Sequence, residues 1–209
     1  MLRNFPFVSS LVRMASQERD RRITDVGTLK ALAHPLRSAL YRGLTVARVA
    51  TASQLAEQVD EAVSLVSYHL RKLAEHGLIE EAEPQSTDGR ERWWQRTSDG
   101  LRIHDADFRD APEAAAAHTA ASRLFFEQRA DMYRRFLDQR AHWSAEWNAA
   151  VESSESNLRL TAAELSELNR EVLALLQRYD ERGRAAEAAG DTEGRENVQI
   201  HTYAFPFRF

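Results

Sequence analysis

The sequence predicts a mainly α protein with a small β part, divided into two portions. Three observations carry this. Two helical patterns lie close together between residues 51 and 76 and end at a glycine. Directly after that glycine the apolar period changes from helical to strand-like, and Asp88-Gly89 supplies a tight-turn signal. A longer helical pattern opens at Pro112, and another follows the capping-box pair Thr161 and Glu164.

Residues 1–22 hold an apolar patch from Phe5 to Met14 and then a charged run. Pro6, Ser9, Ser10 and Arg13 interrupt the patch, and no small-residue cleavage site follows, so it reads poorly as a signal peptide. It is expected to be an N-terminal arm, loose or shortly helical, that packs on a dimer. Met14 is an alternative start.

Residues 23–46 predict two scaffold helices. Val26, Leu29, Leu32 and Ala33 line the first. Pro35 suits the first turn of the second, whose buried stripe is Leu36, Leu40 and Leu44. A third helix begins at Thr51, which has capping-box spacing to Gln54; Leu55 and Val59 point it inward. In the fourth, Val63, Val66, Leu70 and Leu73 repeat at i, i+3, i+7, i+10 and form one buried stripe. Its other face carries Ser64, Ser67, Tyr68, Arg71 and Lys72. Hydroxyls, Arg and Lys are the groups that meet base edges and phosphates. His69 lies at the edge of the stripe and reads equally as a structural histidine or a base reader. Gly77 stops the helix where positive φ is commonly needed.

Leu78-Ile79 opens a strand, and Arg90, Arg92, Trp93, Trp94 and Arg96 belong to the returning one. Strand alternation lets at most one of the two tryptophans face the core and leaves the other for the domain junction. Arg90, Arg92 and Arg96 are placed to touch phosphate or the minor groove. Helix, turn, helix and basic hairpin, in this order, are a winged helix-turn-helix, whose second helix enters the major groove of DNA.

Several fragments now combine. Leu32-Ala33-His34-Pro35-Leu36-Arg37, Val66 to Leu73, Gly77-Leu78-Ile79 and Asp88-Gly89-Arg90 together resemble the ArsR-type winged-helix transcriptional regulators over residues 23–97. The resemblance implies a homodimer that binds a two-fold-related operator and represses. It also implies recognition-helix contacts at Ser64, Ser67, Tyr68, His69 and Arg71. Two positions depart from the pattern. Asp60 stands where a turn glycine is frequent, and Ala62 where a capping serine is common. If Asp60 caps the helix instead, its start moves by two residues.

Residues 98–111 read as a linker in which Leu101, Ile103 and Phe108 need burial. From Pro112 a long helix is expected to reach about Glu152, with Phe126, Tyr133, Arg140 and Trp147 at heptad spacing and Phe136 and Trp143 in a second row. This set reads first as core and dimer seam. It reads second as the lining of a pocket for a small organic effector, with Tyr133, Phe136, Trp143, Trp147 and Tyr203 as its residues. Leu158 to Leu160 is a strand candidate. The helix after Thr161 carries Leu165, Leu168, Val172, Leu176 and Tyr179 and fades into a polar stretch from Arg182 to Glu196. Val198 to Phe205 reads as a final strand. The strand–helix–strand order, with LTAAELSEL and HTYAFP, looks like C-terminal portions attached to some bacterial ArsR-type regulators. Residues 112–209 thus read as a helical dimerisation and effector domain.

Composition bounds the function. The 209 residues contain no cysteine, so thiolate metal sites and disulfides are excluded, and a cytoplasmic setting fits. His104, Asp105, Asp107 and His118 lack the paired i, i+4 spacing of a metal site. No metal, cofactor or membrane span is expected. Neither is an enzyme, since GxSxG, P-loop, HExxH and dinucleotide fingerprints are absent. The net charge is −4, and its excess lies in the C-terminal portion: residues 21–97 hold 11 basic and 10 acidic side chains, residues 98–209 hold 14 and 20. Local field rather than net charge meets the phosphates, so a sequence-specific binder of double-stranded DNA remains the first reading. The alternative is a winged-helix protein-interaction module that does not bind specific DNA.

Overall fold

The computed structural model describes residues 20–85 and 91–208. The arm over residues 1–19, the Asp88-Gly89 turn and Arg90 lie outside the described residues. The chain is mainly α with a small β part, and it divides into two units between Arg135 and Phe136.

The first unit opens with β1 (Asp20–Ile23), followed by α1 (Val26–Ala33) and α2 (Pro35–Ala47). Asp25 caps α1 by accepting from the Thr28 N–H at 2.7 Å. Pro35 begins α2 as its spacing predicts, because its missing N–H is one that a helix start leaves unpaired in any case. Next come β2 (Val49–Thr51), α3 (Ala52–Val59), α4 (Val63–Glu75), β3 (Ile79–Glu81), β4 (Trp93–Arg96) and β5 (Gly100–Ile103). Strands β2, β4 and β3 form an antiparallel sheet with β4 in the middle, pairing Ala50 with Trp94 and Glu81 with Trp94.

Leu29, Leu40, Leu44, Leu55, Val66 and Leu70 meet in the core, each fully buried. Every one comes from a helical stripe, so the four helices are held by a shared apolar centre. Full burial of such a side chain contributes about 1.5–3 kcal/mol. Trp94 belongs to this core cluster and Trp93 does not, although Trp93 is also buried. Adjacent strand residues point to opposite faces, so one tryptophan in the core is the expected outcome.

Two segments differ from the sequence expectation. Asp20–Arg22, read as the end of the arm, are strand, and the stretch read as linker contains β5. The two pair in parallel, Asp20 with Gly100 through Ile23 with Ile103. Arg102 Nε reaches Asp20 Oδ2 at 2.7 Å, and Arg22 forms a two-pronged pair with Asp107. Phe108 is buried as expected, behind a short 3-10 turn at Asp105–Asp107. α5 (Pro112–Asp138) then begins, and Ala114, Ala121 and Phe125 pack on the core. Gln128 ties it down, donating to the Ala33 carbonyl at 3.3 Å and accepting from Arg42 at 3.3 Å.

The long helix expected to reach Glu152 ends at Asp138. A 3-10 turn at Arg140–His142 and the short α6 (Ala145–Ala150) follow. Ser144 starts the new helix, capping α6 by accepting from Trp147 N–H at 3.2 Å. The Asn148 amide fixes the corner by donating to the carbonyls of Arg140, Trp143 and Ser144.

In the second unit, α7 (Ala162–Ala188) starts at the expected capping box. The Thr161 hydroxyl accepts from Glu164 N–H and the Glu164 carboxylate accepts from Thr161 N–H. Leu165, Leu168, Val172 and Leu176 form its half-buried stripe. Tyr179, expected to extend that stripe, is exposed and lies under Arg182, with the guanidinium 5.0 Å from the ring centre. The helix also runs further than its composition suggests, to Ala188. Leu158–Leu160 and residues 198–205 are not strands and carry no regular secondary structure, a correction to the strand–helix–strand reading. Their side chains favour β structure, yet a strand exists only where a second backbone pairs with it, and none does so among the described residues.

Candidate nucleic-acid interface

The interface is built from α3, the turn after it, and α4. The Thr51 hydroxyl accepts from Gln54 N–H at 3.3 Å, while the Gln54 side chain accepts from Thr51 N–H at 2.9 Å. α3 ends on Asp60, which takes a left-handed conformation with φ 53° and ψ 51°. This explains why the position favours glycine. It also corrects the idea that Asp60 caps the next helix: it closes α3, Ala62 precedes α4 without a side-chain cap, and α4 starts at Val63. At the other end, Gly77 has φ 62°. Arg21 from β1 donates to the carbonyls of His76 and Gly77, the first at 2.8 Å. These carbonyls lie at the helix end, where no further turn can satisfy them.

Ser64, Tyr68 and Arg71 lie along the solvent-facing side of α4, all exposed, and Ser67 is half-buried beside them. Among the described residues Arg71 makes no ion pair or hydrogen bond through its side chain. Lys72 is differently placed. It pairs with Glu75 at 2.7 Å and lies 5.8 Å from the centre of the Tyr68 ring. The Glu75 carboxylate, as hydrogen-bond and charge partner, raises its pKa.

Two stripe assignments change. Val63 is 46% exposed, because it stands at the first helical position, beyond the reach of the core. His69 is only 7% exposed and completes the buried stripe in its place. An imidazole enclosed in this way is held away from base edges. Its partner is His34 at the start of α2, with ring centres 4.6 Å apart. Tyr68 meets the same ring edge-on at 5.1 Å. Burial lowers the pKa of both histidines, and Arg37 lowers each further. Arg37 itself faces inward, its Nε donating to the Ala31 carbonyl at 2.6 Å and its Nη2 to Lys30 at 3.2 Å. Its role as a clasp on the end of α1 is a feature sequence reasoning missed. The signal was present: an arginine two residues after a helix-starting proline can reach back over the preceding helix end.

Two wing cations, Arg92 and Arg96, are occupied. Arg92 pairs with Glu81 at 3.0 Å across the hairpin and lies over Trp94. Arg96 lies over Tyr41, 5.7 Å from the ring centre, and donates to the Asp99 carbonyl at 2.8 Å. The structure therefore groups Ser64, Ser67, Tyr68 and Arg71 on one surface and engages Arg92 and Arg96 within the sheet region.

Beside α4 lies a groove of about 450 Å³ lined by Ser53, Ala56, Glu57, Asp60, Glu61, Ala62 and Val63. Of its three carboxylates the sequence reading singled out Asp60, as a turn or cap residue, and not Glu57 or Glu61. Of the proposed effector residues, Trp143 and Trp147 meet edge to face at 6.2 Å. Phe136 is half-buried, and Tyr133 and Tyr203 are exposed. Among the described residues no three of His, Asp and Glu converge as metal ligands, and no helix is long and apolar enough to cross a membrane.

A family profile described as a helix-turn-helix domain matches residues 32–82, from the end of α1 to just past β3. No curated protein matches the sequence. Solved structures similar to the chain include a transcriptional regulator homologue from Pyrococcus horikoshii, at 22% identity over 44% of this chain and 83% of that one, with a TM-score of 0.29. Another is Lactococcus lactis ZitR in apo form, at 16% identity over 83% and 92%, with a TM-score of 0.29. A third is a mutant MarR from E. coli, at 16% identity over 84% and 99%, with a TM-score of 0.30. Residues 32–82 are thus a helix-turn-helix domain, and the antiparallel sheet of β2, β4 and β3 makes it a winged one.

Proposed function

We propose that this protein is a DNA-binding transcriptional regulator of the ArsR type, acting as a homodimeric repressor on a palindromic operator. The observation that carries the reading is the outer side of α4. Two serines, a tyrosine and an uncommitted arginine are presented there by a helix anchored through Val66, Leu70 and Leu73. Such a helix enters a major groove, and a dimer sets two of them about 34–36 Å apart on one face of the duplex.

In this reading residues 23–97 bind DNA and residues 112–209 hold the dimer. Leu124, Leu137, Leu173 and Leu175 are 44–54% exposed, and apolar surface of this kind is what a second copy would cover. The aromatic set of Phe136, Trp143, Trp147 and Tyr203 receives an organic effector that releases the operator. Arg90, Arg92 and Arg96 contact phosphates, which requires Arg92 to leave Glu81 and Arg96 to leave Asp99. The setting is cytoplasmic and no catalysis is involved.

The test is selection of genomic DNA fragments by the full chain at low and at physiological salt. Recovery of a two-fold-related site that survives physiological salt supports the reading. Retention that is blind to sequence and lost with salt overturns it. One observation favours a second reading, a protein-interaction module: Glu57, Asp60 and Glu61 crowd the entry to α4 and repel phosphate. That module would enrich no DNA site in the same selection.

A further inference from the structure

Glu61 occupies the turn that delivers α4. Its backbone N–H donates to the Ala56 carbonyl at 3.1 Å, so the residue is fixed in place. Its side chain is exposed, and among the described residues the carboxylate has no ion pair or hydrogen bond. Around it stand Ser53, Glu57 and Asp60, with no cation lining the groove. Glu61 stands two residues before the start of α4, ahead of Ser64, Tyr68 and Arg71, at the end of the helix that leads into a groove.

An unpaired carboxylate facing a polyanion is repelled by every phosphate. Close approach is favourable only if the carboxylate meets a hydrogen-bond donor. In the major groove the donors are cytosine N4 and adenine N6. Adenine N7, an acceptor, flanks its N6 and repels the second carboxylate oxygen. Cytosine N4 is flanked on its own ring by a C–H. Asn and Gln suit adenine because each brings a donor and an acceptor, whereas an ionised Glu brings acceptors only.

Resting on the DNA-binding reading, we infer that Glu61 is a specificity-determining residue that accepts from cytosine N4 in each operator half-site. Arg71 reads a guanine further along the same half-site. Eight residue steps from Val63, where α4 begins, at about 1.5 Å per residue place Arg71 roughly 12 Å along the helix, with Glu61 just beyond its start. At about 3.4 Å per base step, the guanine lies about three to five base pairs from the cytosine. The carboxylate also acts against wrong sites, because without the cytosine donor its charge faces phosphates unrelieved.

The experiment selects a random double-stranded DNA library with the full chain, with Glu61→Ala and with Glu61→Gln, at physiological salt. Position 61 is exposed, so the fold tolerates both changes. The wild-type protein is expected to enrich a half-site with one fixed cytosine. Glu61→Ala loses about tenfold of discrimination at that position alone, and binds unrelated DNA more tightly. Glu61→Gln moves the preference there to adenine. If wild type and Glu61→Ala enrich the same bases at every position, DNA reading stands and the assignment of Glu61 is overturned. If the wild-type chain enriches no site, the DNA-binding reading has failed and the Glu61 assignment falls with it.

Discussion

His34 and His69 face one another with ring centres 4.6 Å apart and planes tilted by 37°, and each has a buried Nδ1 without a hydrogen-bond partner among the described residues. One ring precedes α2 and the other belongs to α4, so the contact joins the scaffold to the helix proposed to read DNA. Both rings are suited to this only while neutral.

The pair makes stability depend on pH. Burial is the larger cause lowering both pKa values below the ordinary 6.5; Arg37 adds to it at each ring, His34 also acts on His69, and Glu61 opposes. A lowered folded-state pKa means that the unfolded chain binds more protons at mildly acid pH. The stabilisation is present above about pH 6.5 and is lost as pH falls through that value toward the folded pKa. Urea midpoints should therefore fall between about pH 7.5 and about pH 5. His69→Asn should flatten that fall. A midpoint with the same pH slope in both proteins would remove the pair as its source.

Asp60 gives a second prediction. Its left-handed backbone, φ 53° and ψ 51°, disfavours a side chain although Asp tolerates it better than most. Asp60→Gly should raise stability by about 0.5–1 kcal/mol, seen as a higher urea midpoint at unchanged slope. It also removes one carboxylate from the groove beside α4, so retention on unrelated DNA at low salt should increase. No change in midpoint would mean that the Asp60 side chain offsets its own strain.

The third prediction concerns Arg21. Its guanidinium donates to the carbonyls just past α4, those of His76 and Gly77, from a strand far away in sequence. Arg21→Met keeps most of the aliphatic stem and removes both hydrogen bonds. The expected loss is about 1–2 kcal/mol, read as a lower thermal midpoint and faster amide exchange in the last turn of α4. Unaltered exchange there would show that solvent serves those carbonyls equally well.

These cases mark what the sequence could disclose. The Thr51–Gln54 and Thr161–Glu164 boxes were legible because both partners lie within one helical turn. So was the leucine stripe of α4, since its period is local. The pairing of β1 with β5 was not legible: strands of four residues, some eighty positions apart, leave no periodic trace. β2 spans three residues and merges with the cap of α3, which hid it. His69 reads as polar at a stripe edge, and only the neighbouring His34 ring shows why it is buried. At the interface, the hydroxyls and Arg71 could be read from helical phase. The capture of Arg92 by Glu81 and of Arg96 by Tyr41 required the sheet register and tertiary packing. The tail over residues 198–205 has the alternation of a strand, but a partner strand is not something alternation can supply.

Arg71 and Lys72 are adjacent cations, and the structure separates them. Arg71 is exposed on the outer side of α4 without an ion pair among the described residues, whereas Lys72 is held by Glu75 at 2.7 Å. Under the DNA-binding proposal, Arg71→Ala should weaken operator binding by about 1–3 kcal/mol and relax the preference for one guanine. Lys72→Ala should cost less, because a lysine already paired with a carboxylate releases fewer counterions when it meets phosphate. The check is operator affinity of both variants across a salt series. If Arg71 reads a base, its variant loses affinity for the operator and not for unrelated DNA, while the salt slope stays near that of wild type. If it only contacts phosphate, affinity falls on both DNAs and the slope drops by about one. Equal affinity and equal slope in Arg71→Ala would take the residue out of the interface altogether, and the reading face would shrink to Ser64, Ser67 and Tyr68.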